Sequence, residues 1–414
     1  MPYSYFQMHK ANVYRLYPNL EQSVLLAKHI GCARWIYNKA LAMKTEAWTE
    51  RKESLSRFNI QANLPIWKRN EETAWLKEVN SQSLQAALVN LDMAYTRFFK
   101  LKKGFPRFKS KHANRQSFQV PQSGEVGADF VKIPKVGQIK AIISRECVGT
   151  IKTITISRTP TGKFFASVLC DDGKELPVKM PTTEAGTIGV DLGIKDFAVL
   201  STGERISNPR NIKWAQRKLA RAQRRLSRRV KGSKNRNKQR CKVARVHEQV
   251  ANRRKDFLHK TTTKLVRDNQ TDTFAIEDLA VSNMMQNRCL AKAISDVSWG
   301  EFRRQLEYKA ERAGKNVITI GRFELSSKTC GECGKVNDAL KLSDRVWTCT
   351  CGTTHDRDLL AANNIKRFAL HPRNQTIGRD TSESTPVEIV ARRSLKQESM
   401  RAVKRANGKE TACL

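Results

Sequence analysis

Cys330-Gly-Glu-Cys333, an interval of fifteen residues, then Cys349-Thr-Cys351: this pattern restricts the chain more than any other feature. Thiolates are soft donors, and two tight turns, each with a glycine after its second cysteine (Gly334, Gly352), aim four sulfurs at one point. A tetrahedral zinc ion is what such a set holds. A closed four-sulfur site has no open coordination position, so it is expected to fold a ribbon and not to catalyse. The second turn is one residue short of Cys-x-x-Cys, which leaves His355 as an alternative ligand and four metal-free cysteines as the plainer reading. The remaining cysteines, Cys32, Cys147, Cys170, Cys241, Cys289 and Cys413, are scattered and read as reduced thiols.

A chain of 414 residues exceeds what one apolar core usually serves, so two or three structural units are expected. Lys and Arg number 77 against 39 Asp and Glu, a formal charge of +38. That excess repels itself unless a polyanion neutralises it, which makes nucleic acid the expected partner. No segment reaches the ~18 consecutive apolar residues of a membrane span. The opening MPYSYFQMHK lacks the charged and apolar regions of a signal peptide, so a cytoplasmic protein is expected.

Along the chain, ANVYRLY (Ala11 to Tyr17) reads as a strand, and Asn19 with Gln22 as a capping box opening a helical part that runs to about Lys103. Its clearest stripe is Leu84, Leu88, Leu91, Tyr95 and Phe98; Ser81, Gln85 and Arg97 lie on the polar side. Gly104, Pro106 and the basic cluster Arg107, Lys109, Lys111 close this part. Strands follow at Phe130 to Ile133, Ile139 to Ile143, Thr153 to Ser157 and Phe164 to Leu169, the last two a hairpin through Thr161-Gly162. A small barrel or curled sheet suits them, pairing with the strand at Ala11. From Gly186 two apolar strands, Thr187 to Asp191 and Phe197 to Ser201, precede two amphipathic basic helices separated by a turn at KGSKNRNK. Their polar faces hold Arg221, Arg224, Arg225, Arg228, Arg229, Arg240 and Arg253. A charge run is usually a solvated face, but so few acids nearby favour a surface that tracks phosphates. A strand at Thr273 to Ile276, a helix between a second capping box (Ser298, Glu301) and Gly314, and a strand at Val317 to Ile320 complete this region.

Three carboxylates stand out. Asp191 closes an apolar strand in IGVDLGIKDFAV, and Glu277 ends another in TFAIED. An acid there is costly to bury unless it meets a cation, though capping a turn is the plainer role. In HDRDLLAANNIKR, Asp358 falls on one helical face with Ala361, Ala362 and Ile365, whereas Asp356 does not. Asp358 is therefore preferred to Asp356 and to Asp278, which follows Glu277. Hard oxygen donors from separate elements suit Mg²⁺ or Mn²⁺, and a pair of such ions supports phosphodiester hydrolysis with no nucleophilic side chain. No phosphate-cradling glycine loop competes with this reading.

GVDLGIKDFAV, AIEDLAVSNM, SWGEFRRQLEYKA, CGECG with its second knuckle, and HDRD with AANNI stand in the order of the TnpB family of insertion-sequence proteins, as do RLYPN, GCARWIYN and GFPRFKSK. The chain resembles that family over nearly everything but its tail. The resemblance implies an α+β multidomain protein: a β-barrel wedge domain (1–17 and 104–180) split around a helical recognition domain (18–103), then an RNase H-like (RuvC) α/β domain (181–323 and 355–370) with an inserted zinc ribbon (324–354). The tail, 371–414, is expected to be disordered. Also implied are a guide RNA from the transposon end, target double-stranded and single-stranded DNA beside a short adjacent motif, and cleavage by Asp191, Glu277 and Asp358. Ser81 and Gln85 fall where the family contacts the adjacent motif. Leu360 stands where the family has Asn.

Rival readings are a nuclease-silent RNA-guided DNA-binding repressor and a strand-transfer transposase. The first predicts a lost carboxylate and none is lost; the long basic helix pair and the ribbon argue against the second. A compact type V CRISPR nuclease shares nearly all of the chemistry.

Overall fold

The computed structural model describes residues 7–371 apart from positions 114, 115, 269 and 342. Nearly all of the expected tail, with Cys413, lies outside the described residues. The first described element is the strand β1 (Gln7–Tyr17). The capping box then forms as expected: Gln22 N–H donates to Asn19 Oδ1 at 2.8 Å, and Asn19 N–H to Gln22 Oε1 at 3.1 Å. It opens α1 (Leu20–Arg51), followed by α2 (Arg57–Gln61), α3 (Leu64–Arg69), a 3-10 stretch Glu71–Glu78 and α4 (Ser81–Leu101). Leu84, Leu88 and Leu91 are buried, and Ser81, Gln85 and Arg97 exposed.

Six more strands, β2 (Gln116–Val120), β3 (Glu125–Val126), β4 (Phe130–Ile133), β5 (Gly137–Ile142), β6 (Thr150–Arg158) and β7 (Phe164–Glu175), join β1 in a sheet ordered β2-β6-β7-β1-β5-β4-β3. Among the described residues no ladder joins β2 to β3, so this is the curled-sheet alternative, not a closed barrel. Tyr14 and Leu16 of β1, Ile154 and Ile156 of β6 and Val168 of β7 share one buried cluster with Leu26, Ile36 and Leu41 of α1 and with Leu84 and Leu91 of α4. The helices and this sheet thus pack on a common core.

A second sheet follows from β8 (Thr187–Leu192), β9 (Asp196–Leu200), β10 (Arg205–Ser207), β11 (Thr273–Glu277) and β12 (Asn316–Ile320), in the order β10-β9-β8-β11-β12. Strands β8, β11 and β12 run parallel; β9 and β10 are hairpin additions at one edge. Between β10 and β11 lie α5 (Asn211–Ser227) and α6 (Lys234–Arg267); between β11 and β12 lie α7 (Val281–Met284), α8 (Ala291–Val297) and α9 (Trp299–Arg312). Phe197, Leu258, Phe274, Phe302 and Leu306 form the core on the α6 and α9 side. The ladder β13 (Val346–Thr348) with β14 (Thr354–Asp356) leads into α10 (Arg357–Leu370), which covers the opposite side through Ile365 and Phe368 against Ala275 and Ile320.

Two local expectations fail. Ser298 does not build a capping box: it closes α8 in the left-handed region (φ 58°), its hydroxyl donates back to Ser295 O, and Glu301 is taken by Arg304 and Gln305. Cys147 and Cys170 are not free thiols but a disulfide with Cα atoms 6.7 Å apart. Gly149 explains how the loop comes so near: a Cβ on it would meet Asp171 O at 2.1 Å, so only a bare backbone lets residues before β6 lie against β7. Cys32, Cys241 and Cys289 are free. Among the described residues no helix is long and apolar enough to cross a membrane.

Candidate active site

Alternation along the two central strands decides where the carboxylates point. On β8, Gly189 abuts α10: a Cβ there would lie 1.9 Å from Ala362 O. Asp191, two residues on, leaves the strand on that same side, while Ile188 and Val190 turn into the core under α6 and α9. On β11, Ala275 packs with Ile365 and Phe368 of α10, so Glu277, again two residues on, emerges on the α10 side as well. The parallel ladder pairs Val190 with Ile276, which leaves Asp191 and Glu277 at matched positions on neighbouring strands. Asp358 sits one helical turn before the Ala362 that rests on Gly189.

The three groups feel one another. Burial pushes the Asp191 carboxyl up to about 7, with the charges of Glu277 and Asp358 adding to the shift and Arg357 and Arg345 opposing it. Burial also raises Glu277, against a hydrogen bond from Ser326 Oγ at 2.5 Å. Asp358 receives Arg345 Nη1 at 3.1 and 3.2 Å and Arg357 Nη2 at 3.4 Å, with Arg205 at 3.9 Å. The neighbouring acids are occupied elsewhere. Asp278 pairs with Arg303 and Arg322, and Asp356 is the N-cap of α10, accepting from the N–H groups of Asp358 and Leu359 and from Arg205 at 2.8 Å.

Two polar side chains that sequence reasoning missed bear on this geometry. Asn364 is buried in α10 and donates to Ser326 O and Thr329 O, both at 2.7 Å. The segment whose Ser326 holds Glu277 is thereby tied to the helix that carries Asp358. A trace of this was visible in AANNI, where an asparagine sits among residues of an apolar stripe.

Among the described residues the four cysteines are the one group whose donor atoms already lie close enough to share an ion, all within 4.8 Å of one another. Cys330 and Cys351 sulfurs are 3.7 Å apart and those of Cys333 and Cys349 3.5 Å. Metal–sulfur bonds of about 2.3 Å make a tetrahedron with edges of roughly 3.8 Å, so the spacing fits. Each turn closes as its glycine requires. Gly334 (φ 73°) donates to Cys330 O and Gly352 (φ 89°) to Cys349 O. The missing residue in the second turn is thus accommodated with all four sulfurs present, and His355 Nε2 stands 3.1 Å from the Cys330 sulfur beside them. Leu360 is buried against Cys330, Trp347 and Cys349.

The expected nucleic-acid contacts are surface residues. Arg221, Arg224, Arg225, Arg228, Arg229 and Arg253 are exposed on α5, on α6 and in the turn between them, and Arg253 lies 4.4 Å over the Trp214 ring. Lys218, Arg221, Arg225, Lys242 and Arg245 line a groove of about 290 Å³ between the two helices that holds no acid. Arg107 and Lys109 are exposed, the Lys109 ammonium 4.0 Å over the Tyr37 ring.

Three family models match this sequence: OrfB_IS605, described as "Probable transposase", over residues 168–288; the TNB domain of Cas12f1-like proteins over 299–365; and a helix-turn-helix domain over 8–53. The last falls on β1 and the single helix α1. A Streptomyces pristinaespiralis protein named "Putative RNA-guided DNA endonuclease" is 41% identical over 400 residues, spanning 96% of this chain and 98% of that one. InsQ of Escherichia coli K12, under the same description, is 33% identical over 370 residues, 85% of this chain and 90% of its own. A solved structure, the Cas12f1-sgRNA-target DNA complex, aligns with a TM-score of 0.48 at 13% identity over 87% of this chain and 99% of that one. With sequence identity of this extent along almost its full length, the chain belongs to the TnpB (OrfB_IS605) family of RNA-guided DNA endonucleases.

Proposed function

We infer that the protein cuts target DNA under the direction of a bound guide RNA, hydrolysing phosphodiester bonds with divalent ions held by Asp191, Glu277 and Asp358. One observation carries the reading: neighbouring parallel strands end in acids on the side covered by the helix that bears the third, and burial plus their mutual repulsion lifts Asp191 to about 7. Such a set is unfavourable without a cation and favourable with one. Oxygen donors alone fit Mg²⁺ or Mn²⁺, which, when bound, acidify water and offset charge on the leaving oxygen. The chain's own residues do the positioning. Ser326 fixes the Glu277 carboxylate, Asn364 locks that segment to α10, and Gly189 lets α10 settle on β8. Zn²⁺ is the ion that suits the four sulfurs.

The domain reading follows the same lines: a split wedge domain at 1–17 and 104–180 around helices at 18–103, and a RuvC-like domain at 181–323 and 355–370 interrupted by a ribbon at 324–354. The basic faces of α5 and α6, with Arg107 and Lys109, take RNA and DNA backbones, and Ser81 and Gln85 at the start of α4 meet the adjacent DNA motif. The guide comes from the transposon end, and the protein works on DNA in the cytoplasm.

The test is to purify the protein with its copurifying RNA, sequence that RNA, and assay cleavage of matching duplexes with wild type, Asp191→Asn and Glu277→Gln. Cutting by the wild type alone, with guided binding kept by all three, is expected. Full cutting by either variant, or joined strand-transfer products in place of cut ends, overturns the assignment.

A further inference from the structure

Helix α1 contains a glycine with no internal reason to be there. Gly31 lies in the middle of a 32-residue helix, where glycine is less favourable than alanine, and a Cβ built on it meets nothing within 4 Å. The space beside it is a groove of about 360 Å³, inside the range of roughly 300–1,000 Å³ spanned by small-ligand sites. Trp35, one turn on in the same helix, lines this groove with Gly31, and its ring also meets that of Trp67 at 5.7 Å. The Trp75 ring meets Trp35 at 5.5 Å with the planes 81° apart, giving two indole walls at a corner; Trp75 is 37% exposed. Its orientation is fixed by Nε1 donating to Glu72 O at 2.9 Å. Lys28, paired with Glu78, forms one rim and Arg34 another; Arg34 has no ion-pair partner among the described residues.

A bare helical floor, two aromatic walls and cations at the edge suit a flat aromatic ring joined to a phosphate. Stacking tolerates any base, because each has a π-face, while Arg34, the rim cation without an ion-pair partner among the described residues, meets the phosphate. The groove also adjoins the start of α4. Glu78 lies three residues before Ser81, and Asn80 N–H donates to His29 of α1 at 3.1 Å. Opening a duplex beside an adjacent motif frees bases at the junction. We propose that this groove holds one unstacked nucleobase of the target DNA, next to the residues that meet the adjacent motif. The identity of the strand rests on the function inferred above, whereas the base-binding chemistry does not.

The test uses the full chain and short single-stranded DNA containing 5-iododeoxyuridine or 2-aminopurine, with RNA of the same sequence as a second arm. Photocrosslinks are expected at Trp35 or Trp75, and 2-aminopurine emission is expected to be quenched. Gly31→Leu fills the floor while improving helix propensity, so it should melt no lower than wild type yet lose the crosslink and weaken oligonucleotide affinity about tenfold, the scale of one stacked base. An unaltered crosslink in Gly31→Leu, crosslinks confined to the α5 and α6 arginines, or a signal from RNA alone overturns the proposal. Failure of the two readings is separable: a chain that crosslinks but never cuts undermines the nuclease, and one that cuts normally as Gly31→Leu undermines the groove.

Discussion

Gly189 of β8 and Ala362 of α10 touch backbone to backbone, so closely that one added methyl group would sit 1.9 Å from the Ala362 carbonyl oxygen. That contact sets the height of α10 over the sheet, and with it the approach of Asp358 to Asp191. Gly189→Ala is expected to destabilise the protein by about 1–3 kcal/mol, the usual cost of overpacking, and to lower cleavage by more than the lost folded fraction explains. Denaturant titration alongside single-turnover cleavage checks both; an alanine variant with unchanged stability would show that α10 does not rest on β8.

Asp191 gives a pH-dependent stability of known sign. Its carboxyl titrates near 7 in the folded chain against 3.8 when free, so the native state holds the extra proton between those values. The contribution is fully present below 3.8 and lost as pH rises through about 7. Without divalent ions, Asp191→Asn should therefore melt above wild type at pH 8, and the gap should close toward pH 4. A constant gap across that range would remove the burial argument.

The same proton competes with a cation. Mn²⁺ affinity, read by calorimetry, should climb as pH passes from 6 to 8, up to about tenfold per unit below the carboxyl's own value. Pre-treating the ribbon with a zinc chelator is a separate matter. That should expose amides of 330–352 to hydrogen exchange and depress cleavage, because β14 leads directly into α10.

Asn364→Leu keeps the helix but removes both bonds to the Ser326 segment. Two buried carbonyls lose their partner, at about 1–3 kcal/mol. The expected signature is a fall in the cleavage rate with guided binding retained, shared by Ser326→Ala in milder form. Additive effects in the double variant would break the proposed link, since coupled positions deviate from additivity.

Unfolded under alkylating, non-reducing conditions, the protein should show two fewer reactive thiols than after reduction, and mapping should place both at Cys147 and Cys170. Ten reactive thiols in both samples would dismiss the bond.

Much of this was legible because strands advertise their faces. Val190 and Ile276 alternate with residues on the opposite side, so the acids that follow them were recognisable at strand ends, and the helical phase of Asp358 with Ala361 and Ile365 separated it from Asp356. Their pairing was not legible, since nothing in TFAIED states that Ile276 lies opposite Val190. Ser298 misled because a Ser-x-x-Glu spacing ignores what precedes it: α8 runs straight into α9, and the serine is spent as its C-cap. The Cys147 bond escaped for a similar reason, the two cysteines being 23 positions apart with the approach granted by Gly149. The Asn364 link needed the tertiary fold itself.

Strand β1 is the first described element of the chain, yet it occupies the interior of its sheet, between β7 and β5. On a ribosome it emerges with neither neighbour made. Some 150 residues must follow before Glu175 is in place, on the order of ten seconds of synthesis at about 5–20 residues per second. During that interval α1 to α4 can close on local contacts while β1 waits with both edges unpaired until β5 is made and with one edge open until β7 follows, inviting aggregation or chaperone capture. Nascent chains halted shortly after α4 should therefore be helical but sticky, and should become soluble once β7 has cleared the exit tunnel.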